Sequence, residues 1–177
     1  SKSTMGAAQQ NANRSAPVFG GVYKLAAVED EQGNIIPKIK ISENTAKITN
    51  PHYKKLYRFY DNESGKALAD ELCVYDETID STKPHTIFDP DAIWKTKTLT
   101  DYTARELHVT IFKNGELVYK QPSLYEIRIY CAEQLETLWD EVKRFENPHT
   151  YYVDLSKKLW DIKNALLEKS KDGKDLK

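Results

Sequence analysis

The sequence predicts an α+β fold, with an antiparallel, sandwich-like β-sheet region in its N-terminal part followed by two C-terminal α-helices. Three observations predict it. Residues 18–112 hold short runs of period two, punctuated by Gly, Asn, Asp and Pro, which is how half-buried strands and their turns read. Beyond Pro122 the apolar residues recur instead at steps of three and four, the period of an amphipathic helix. The composition is 40% hydrophobic, with 3 Trp and 11 Tyr in 177 residues, enough bulk for a core and against wholesale disorder.

Residues 1–17 are small and polar and open as a flexible lead-in with nothing to bury. Gly20 and Gly21 then start a strand at 22–28, and the Asp30 to Asn34 turn leads into a second at 35–41. There Ile35, Ile39 and Ile41 share one face while Lys38 and Lys40 share the other. Residues 54–61 and 66–75 flank Asn62-Glu-Ser-Gly65 as a hairpin, with Tyr57 and Phe59 directed to the core. An acidic segment at 76–102 contains Pro84 and Pro90 and reads as loop with at most short pieces of strand. A strand at 103–112 follows, and Asn114-Gly115 marks a tight hairpin.

Residues 18–121 thus form the mostly antiparallel region, and residues 122–168 the two-helix part. Ser123 and Glu126 make a capping box. From there Leu124, Ile127, Cys131, Leu135, Leu138, Val142 and Phe145 predict a helix of about six turns, stopped by Pro148. A second helix starts at Asp154 or Ser156 and buries Leu155, Leu159, Ile162 and Leu166, before a frayed tail at 169–177.

The 26 Lys and Arg balance 27 Asp and Glu for a net charge of −1, which argues against a general polyanion binder. No apolar run of about 18 residues and no signal-peptide order appear, so the chain reads as cytoplasmic, with no membrane partner. Cys73 and Cys131 lack a Cys-x-x-Cys pattern and read as two reduced, buried thiols. His52, His85, His108 and His149 form no zinc pattern, so no metal site is expected. His108, between Leu107 and Val109, is expected to be exposed or hydrogen-bonded, and His149 lies just past a helix end. Asp76, Glu77, Asp80, Asp89 and Asp91 have carboxylates suited to a hard cation, but they lack the spacing of a calcium loop and read as a solvated loop. Gly20-Gly21 with Lys24 leads into a strand rather than a helix, which makes it a turn and not a phosphate cradle. Residues 52–60 interleave cations and aromatics, as single-strand nucleic-acid binders do; an amphipathic strand explains the pattern as well. No catalytic constellation is visible.

These residues carry a resemblance. Gly-Gly-Val-Tyr-Lys-Leu at 20–25, Lys-Ile-Lys-Ile-Ser-Glu-Asn at 38–44, Lys-Ile-Thr-Asn-Pro at 47–51 and Lys-Lys-Leu-Tyr-Arg-Phe-Tyr-Asp at 54–61 resemble the C-terminal region of nicotinate phosphoribosyltransferases. So do Thr-Ala-Arg-Glu-Leu at 103–107, Leu-Trp-Asp-Glu-Val-Lys-Arg at 138–144 and Asn-Pro-His-Thr-Tyr-Tyr-Val-Asp-Leu-Ser at 147–156. The resemblance implies an enzyme of NAD salvage that joins nicotinate to phosphoribosyl pyrophosphate, using ATP and Mg²⁺ in the full-length protein, which is expected to be a homodimer. The family's phosphorylated histidine and its glycine-rich phosphate loop have no counterpart here. The chain is therefore expected to carry no catalytic residue, to bind no cofactor by itself, to be inactive alone and to partner the missing catalytic barrel. Lys38, Lys47, Lys54 and Arg58 are the candidates for reaching a phosphate. The family commonly has Gly where His52 stands, so a positive φ there would fall on a histidine. The alternative is an independent nucleotide or single-stranded nucleic-acid binding module using residues 53–60.

Overall fold

The computed structural model describes residues 22–44 and 47–171. The lead-in at 1–17, the Gly20-Gly21 turn and the end of the tail lie outside them. Among the described residues ten strands and three helices run in the order β1 (Ala27–Glu29), β2 (Ile35–Pro37), β3 (Lys54–Asp61), β4 (Ala67–Val74), β5 (His85–Asp89), β6 (Ala92–Leu99), β7 (Tyr102–Glu106), β8 (Phe112–Lys113), β9 (Glu116–Leu117), α1 (Leu124–Glu136), α2 (Asp140–Lys143), β10 (Val153–Leu155) and α3 (Lys157–Lys171). The architecture is α+β, with small, mostly antiparallel sheets followed by C-terminal helices.

The central sheet has the order β10-β4-β3-β7. The β3–β4 hairpin pairs Tyr57 with Glu71 and Phe59 with Ala69, and a bulge follows Phe59. Gly65 closes its turn at φ 67°, a conformation glycine adopts without a Cβ penalty. Tyr57 and Phe59 are buried, as their alternation predicts, and Phe59, Ala69, Ile87, Leu99 and Tyr102 form one core cluster. The Phe59 and Tyr102 rings meet edge to face, with centroids 5.5 Å apart. Leu155 and Leu159 join Val74 in a second cluster flanked by Leu72 and Ile162, which seats α3 against β4 and β10.

Several expectations are corrected. The strand at 22–28 shrinks to β1, with Val22, Tyr23 and Leu25 exposed, and the run at 35–41 pairs only at β2, with Ile41 exposed. Alternation marks a face; it does not supply a partner strand, and without one the face stays wet. Residues 85–99, expected as loop, form the β5–β6 hairpin, because Pro90 sits in the turn, where its missing N–H costs no ladder bond. The strand at 103–112 ends at Glu106, and the chain resumes pairing at the β8–β9 hairpin, turned by Asn114 and Gly115 at φ 52° and 82°. β10 was not anticipated; three residues are too few to show a period. It pairs with β4 in parallel, which the long connection through α1 and α2 permits.

The capping box forms as read: Ser123 N donates to Glu126 Oε2 at 2.6 Å, and Glu126 N donates to Ser123 Oγ at 3.3 Å. The six-turn helix does not. α1 stops at Glu136, and α2 is one turn at Asp140–Lys143. The break at residues 137–139 is used by the sheet, since Ala67 N donates to the Thr137 carbonyl at 2.8 Å. No residue of α1 is buried, so Leu124, Ile127 and Leu135 are exposed, and Cys131 is an exposed free thiol rather than a buried one. Only Cys73 of the pair is buried. Because α1 has no packed face to hold it, its local signals matter more than usual: Ser123→Ala is expected to cost the helix about 1 kcal/mol and to lower far-ultraviolet helicity measurably, while leaving the sheet intact. In α3, Leu159 N donates to Ser156 Oγ at 3.2 Å, which makes Ser156 the cap and leaves Asp154 in β10.

Candidate functional site

The four phosphate-contact candidates do not converge on one open anion site. β3 places Arg58 opposite Asp70 of β4, and the two form a forked pair, Nε to Oδ1 at 2.7 Å and Nη2 to Oδ2 at 2.9 Å, the planar recognition for which guanidinium is suited. Tyr151 completes the group: its hydroxyl donates to Asp70 Oδ1 at 2.8 Å, and Arg58 lies 5.7 Å from its ring centroid. The bonds from Asp70 hold the Arg58 pKa well above its ordinary value. Burial, with the same carboxylate, pushes the Tyr151 phenol up.

Lys54 is engaged differently. Its Nζ donates to the carbonyls of Asn50, Pro51 and His52 at 3.0, 3.2 and 2.5 Å, using all three ammonium donors on a backbone bend. Burial draws its pKa down. That bend is the place where His52 takes φ 78°, so the histidine does occupy the left-handed region. Its ring stacks on Tyr75 at 5.9 Å, and its Nδ1 accepts from Tyr53 N at 3.0 Å, contacts that offset the strain of a Cβ there. Lys38 binds the same neighbourhood through its backbone, since Lys38 N and His52 N both donate to the Ala26 carbonyl at 2.8 Å. Lys47 is exposed. β3 itself is flanked by β4 and β7, so the buried Tyr57 and Phe59 rings offer no platform for stacking bases.

Three residues whose surroundings the sequence did not reveal, Glu71, His85 and Asp154, lie in or beside the central sheet. Glu71 is 2% exposed, and His85 Nε2 meets its Oε2 at 2.8 Å. The hydrogen bond to Glu71 raises the His85 pKa against the opposing effect of burial, and Phe59 stacks on the imidazole at 5.2 Å. Cys73 Sγ also approaches Glu71 Oε2, at 3.5 Å, and burial followed by the Glu71 charge pushes this thiol far up. It is an inert thiol rather than a nucleophile. Glu71 and His85 line a cavity of about 630 Å³ with Tyr102, Phe88 and Ser156. Ser156 Oγ donates to Glu77 at 2.7 Å and so is not paired with His85 as a nucleophile would be. The third group is Asp154, the ladder neighbour of Glu71 on β10. Asp70 and Glu71 had a signal in the sequence, two acids in the middle of an otherwise apolar strand; the partners, 12 and 14 positions away, had none.

Of the other candidates His108 is exposed as expected, whereas Asp89 lies at the end of β5 rather than in a solvated loop. His108 Nδ1 accepts from Leu56 N at 3.0 Å. Asp76 is bound by Lys158, Asp80 by Thr82 and Lys83, and Asp89 by Lys95. Among the described residues no group of three or more His, Cys, Asp or Glu is arranged to hold a metal ion, and no helix is long and apolar enough to cross a membrane.

His85 gives a pH signature. Its folded pKa lies above the unfolded value of about 6.5, so the stabilisation is fully present below pH 6.5 and is lost as pH rises through the folded value. His85→Leu is accordingly expected to cost about 2 kcal/mol at pH 6 and clearly less at pH 9, read from urea unfolding; an equal cost at both would contradict the charged pair.

Residues 53–163 match the family model described as the nicotinate phosphoribosyltransferase C-terminal domain. A nicotinate phosphoribosyltransferase of Bacillus subtilis (strain 168) is 38% identical over 147 residues, covering 83% of this chain and 30% of the relative. One of Dictyostelium discoideum is 31% identical over 172 residues, covering 93% and 28%. The crystal structure of human nicotinic acid phosphoribosyltransferase is similar with a TM-score of 0.61 and 26% identity, over 67% of this chain and 24% of that one. The chain spans about three-tenths of the length of the curated relatives it matches.

Proposed function

Because the chain belongs to the nicotinate phosphoribosyltransferase family through that family's C-terminal domain, we propose that it serves as the structural C-terminal domain of a cytoplasmic, ATP-dependent nicotinate phosphoribosyltransferase and is inactive alone. The enzyme would join nicotinate to phosphoribosyl pyrophosphate, giving nicotinate mononucleotide and pyrophosphate. Its catalytic barrel would lie in a different part of the polypeptide and would be this domain's partner, in a dimeric full-length protein.

The observation that carries this reading is α1. It has an apolar stripe and a complete capping box, yet none of its thirteen residues is buried. It is tied to the sheet near its C-terminal end, where Tyr60 Oη donates to Gln134 at 3.3 Å and Lys66 Nζ to the Glu136 carbonyl at 2.7 Å. A helix whose apolar side chains Leu124, Ile127 and Leu135 are all left exposed supports a covering surface outside the chain. The chemistry supports the same reading. Joining a ring nitrogen to a sugar carbon while a pyrophosphate departs requires positioned cations, and here Arg58 and Lys54 are already engaged within the chain. ATP and Mg²⁺ would supply the driving force and charge neutralisation of the full-length reaction; the described residues present no carboxylate or histidine group fitted to the metal.

The test is direct. The 177-residue chain incubated with nicotinate, phosphoribosyl pyrophosphate, ATP and Mg²⁺ is expected to form no nicotinate mononucleotide above the blank. Nicotinate-dependent product that disappears on heat denaturation of the chain would overturn the reading. A second expectation concerns the uncovered face: at high concentration the chain should self-associate, measured by sedimentation, and Leu124→Lys with Ile127→Lys should restore the monomer.

A further inference from the structure

On one rung of the central sheet, β4 and β10 set two buried acids side by side, Glu71 and Asp154. They are treated very differently. Glu71 has His85 at 2.8 Å. Asp154 is 4% exposed, yet its carboxylate accepts no hydrogen bond among the described residues, and the helix cap is Ser156 instead. A buried carboxylate without a donor is costly, and this one is not sealed in apolar packing: it opens onto a cavity of about 990 Å³ between the β5–β6 hairpin and residues 139–152. The volume is that of a small-molecule site. Its walls include the Phe88, Trp139 and Tyr152 side chains, flat apolar surfaces for a ring or alkyl body.

The charges around the cavity select the sign of the missing partner. Asp89, also in the lining, is matched by Lys95 at 3.7 Å. Lys97, also in the lining, makes no bond to Asp154, while Glu141 adds a further negative group to the rim. No cation of the lining, Lys95, Lys97 or His149, donates to Asp154. Burial, and after it the charges of Glu71 and Asp89, raise the Asp154 pKa to about 6. An uncompensated acceptor beside two further acids and three aromatic walls suits a ligand that is cationic at one end and flat or apolar at the other.

We propose that this cavity binds a small organic cation, an amidine or primary amine on an aromatic body, with its N–H groups donating to the Asp154 carboxylate. None of Lys38, Lys47, Lys54 and Arg58 lines the cavity, although Tyr151, which lies against Arg58, does, and the proposal does not depend on the reading of the chain as part of a larger enzyme.

The experiment titrates benzamidine into the ¹⁵N-labelled 177-residue chain at pH 7.5, following amide shifts. Saturable shifts confined to residues 67–68, 87–97 and 139–154 are expected, with affinity weakened about tenfold or more in Asp154→Asn, a difference that corresponds to the loss of one charge-assisted contact. Benzyl alcohol, with the same ring and no charge, is expected not to saturate. The Asn variant keeps the side-chain shape and removes a buried charge, so it should fold at least as well as the parent; its spectrum verifies this before titration. No saturable binding of benzamidine, equal binding by Asp154→Asn, or equal binding of benzyl alcohol would each overturn the proposal.

Discussion

Arg58→Ala should lower the stability of the isolated chain by about 3 to 4 kcal/mol, because it strips the forked partner from a buried carboxylate. Asp70 is 5% exposed, and both of its oxygens are bound by Arg58; Tyr151 alone would remain to donate to it. The loss is a desolvation cost rather than the worth of the contact, so Arg58→Met combined with Asp70→Leu should recover much of it. Urea midpoints of the three proteins decide the matter. A single-variant loss below about 0.5 kcal/mol, the range of an exposed pair, would mean that Arg58 is held in place for something outside the chain, and its candidacy for a phosphate would return.

Asp154→Asn should act in the opposite direction. The folded pKa of Asp154 is raised to about 6, whereas an unfolded aspartate titrates at about 3.9. Between those values the folded chain holds a proton that the unfolded chain has released. Stability from this group is therefore full below about pH 4 and is lost as pH rises through about 6. The two-unit difference corresponds to about 2 to 3 kcal/mol at neutral pH. Asn, which cannot ionise, should raise stability by that amount at pH 7.5, leave it nearly unchanged at pH 4, and flatten the profile between. Any loss of stability in Asp154→Asn at pH 7.5 would mean that the carboxylate is compensated after all. The window lies below that of His85, so the two contributions separate along one pH series.

Much of this fold was legible because it rests on local chemistry. Asn62 to Gly65, Asn114-Gly115 and the Ser123–Glu126 box each fix a backbone conformation within four residues, and all three appear where the sequence puts them. The illegible parts depend on partners distant in sequence. An alternating run such as 35–41 looks the same with or without a neighbouring strand, and the stripe of α1 looks the same whether it is covered or bare. The parallel pairing of β10 with β4 joins residues about eighty positions apart, beyond any short-range pattern. The candidate cations show the same limit. Their charge could be read, but not that Arg58 and Lys54 are already committed to Asp70 and to a bend of backbone carbonyls. His52 was legible in part. The histidine does stand at a positive φ, and the strain is offset by its stacking on Tyr75, a contact that the sequence does not announce.

The measurement that tests the central claim most directly is the mass of the native protein in its source cells, by immunoblot with antibody raised against residues 22–171. A structural domain of a longer enzyme predicts a band well above 20.4 kDa, about three times heavier if its proportions follow the relatives of which this chain spans about 30%. A native band at 20.4 kDa, with α1 uncovered in the free protein, would contradict the account.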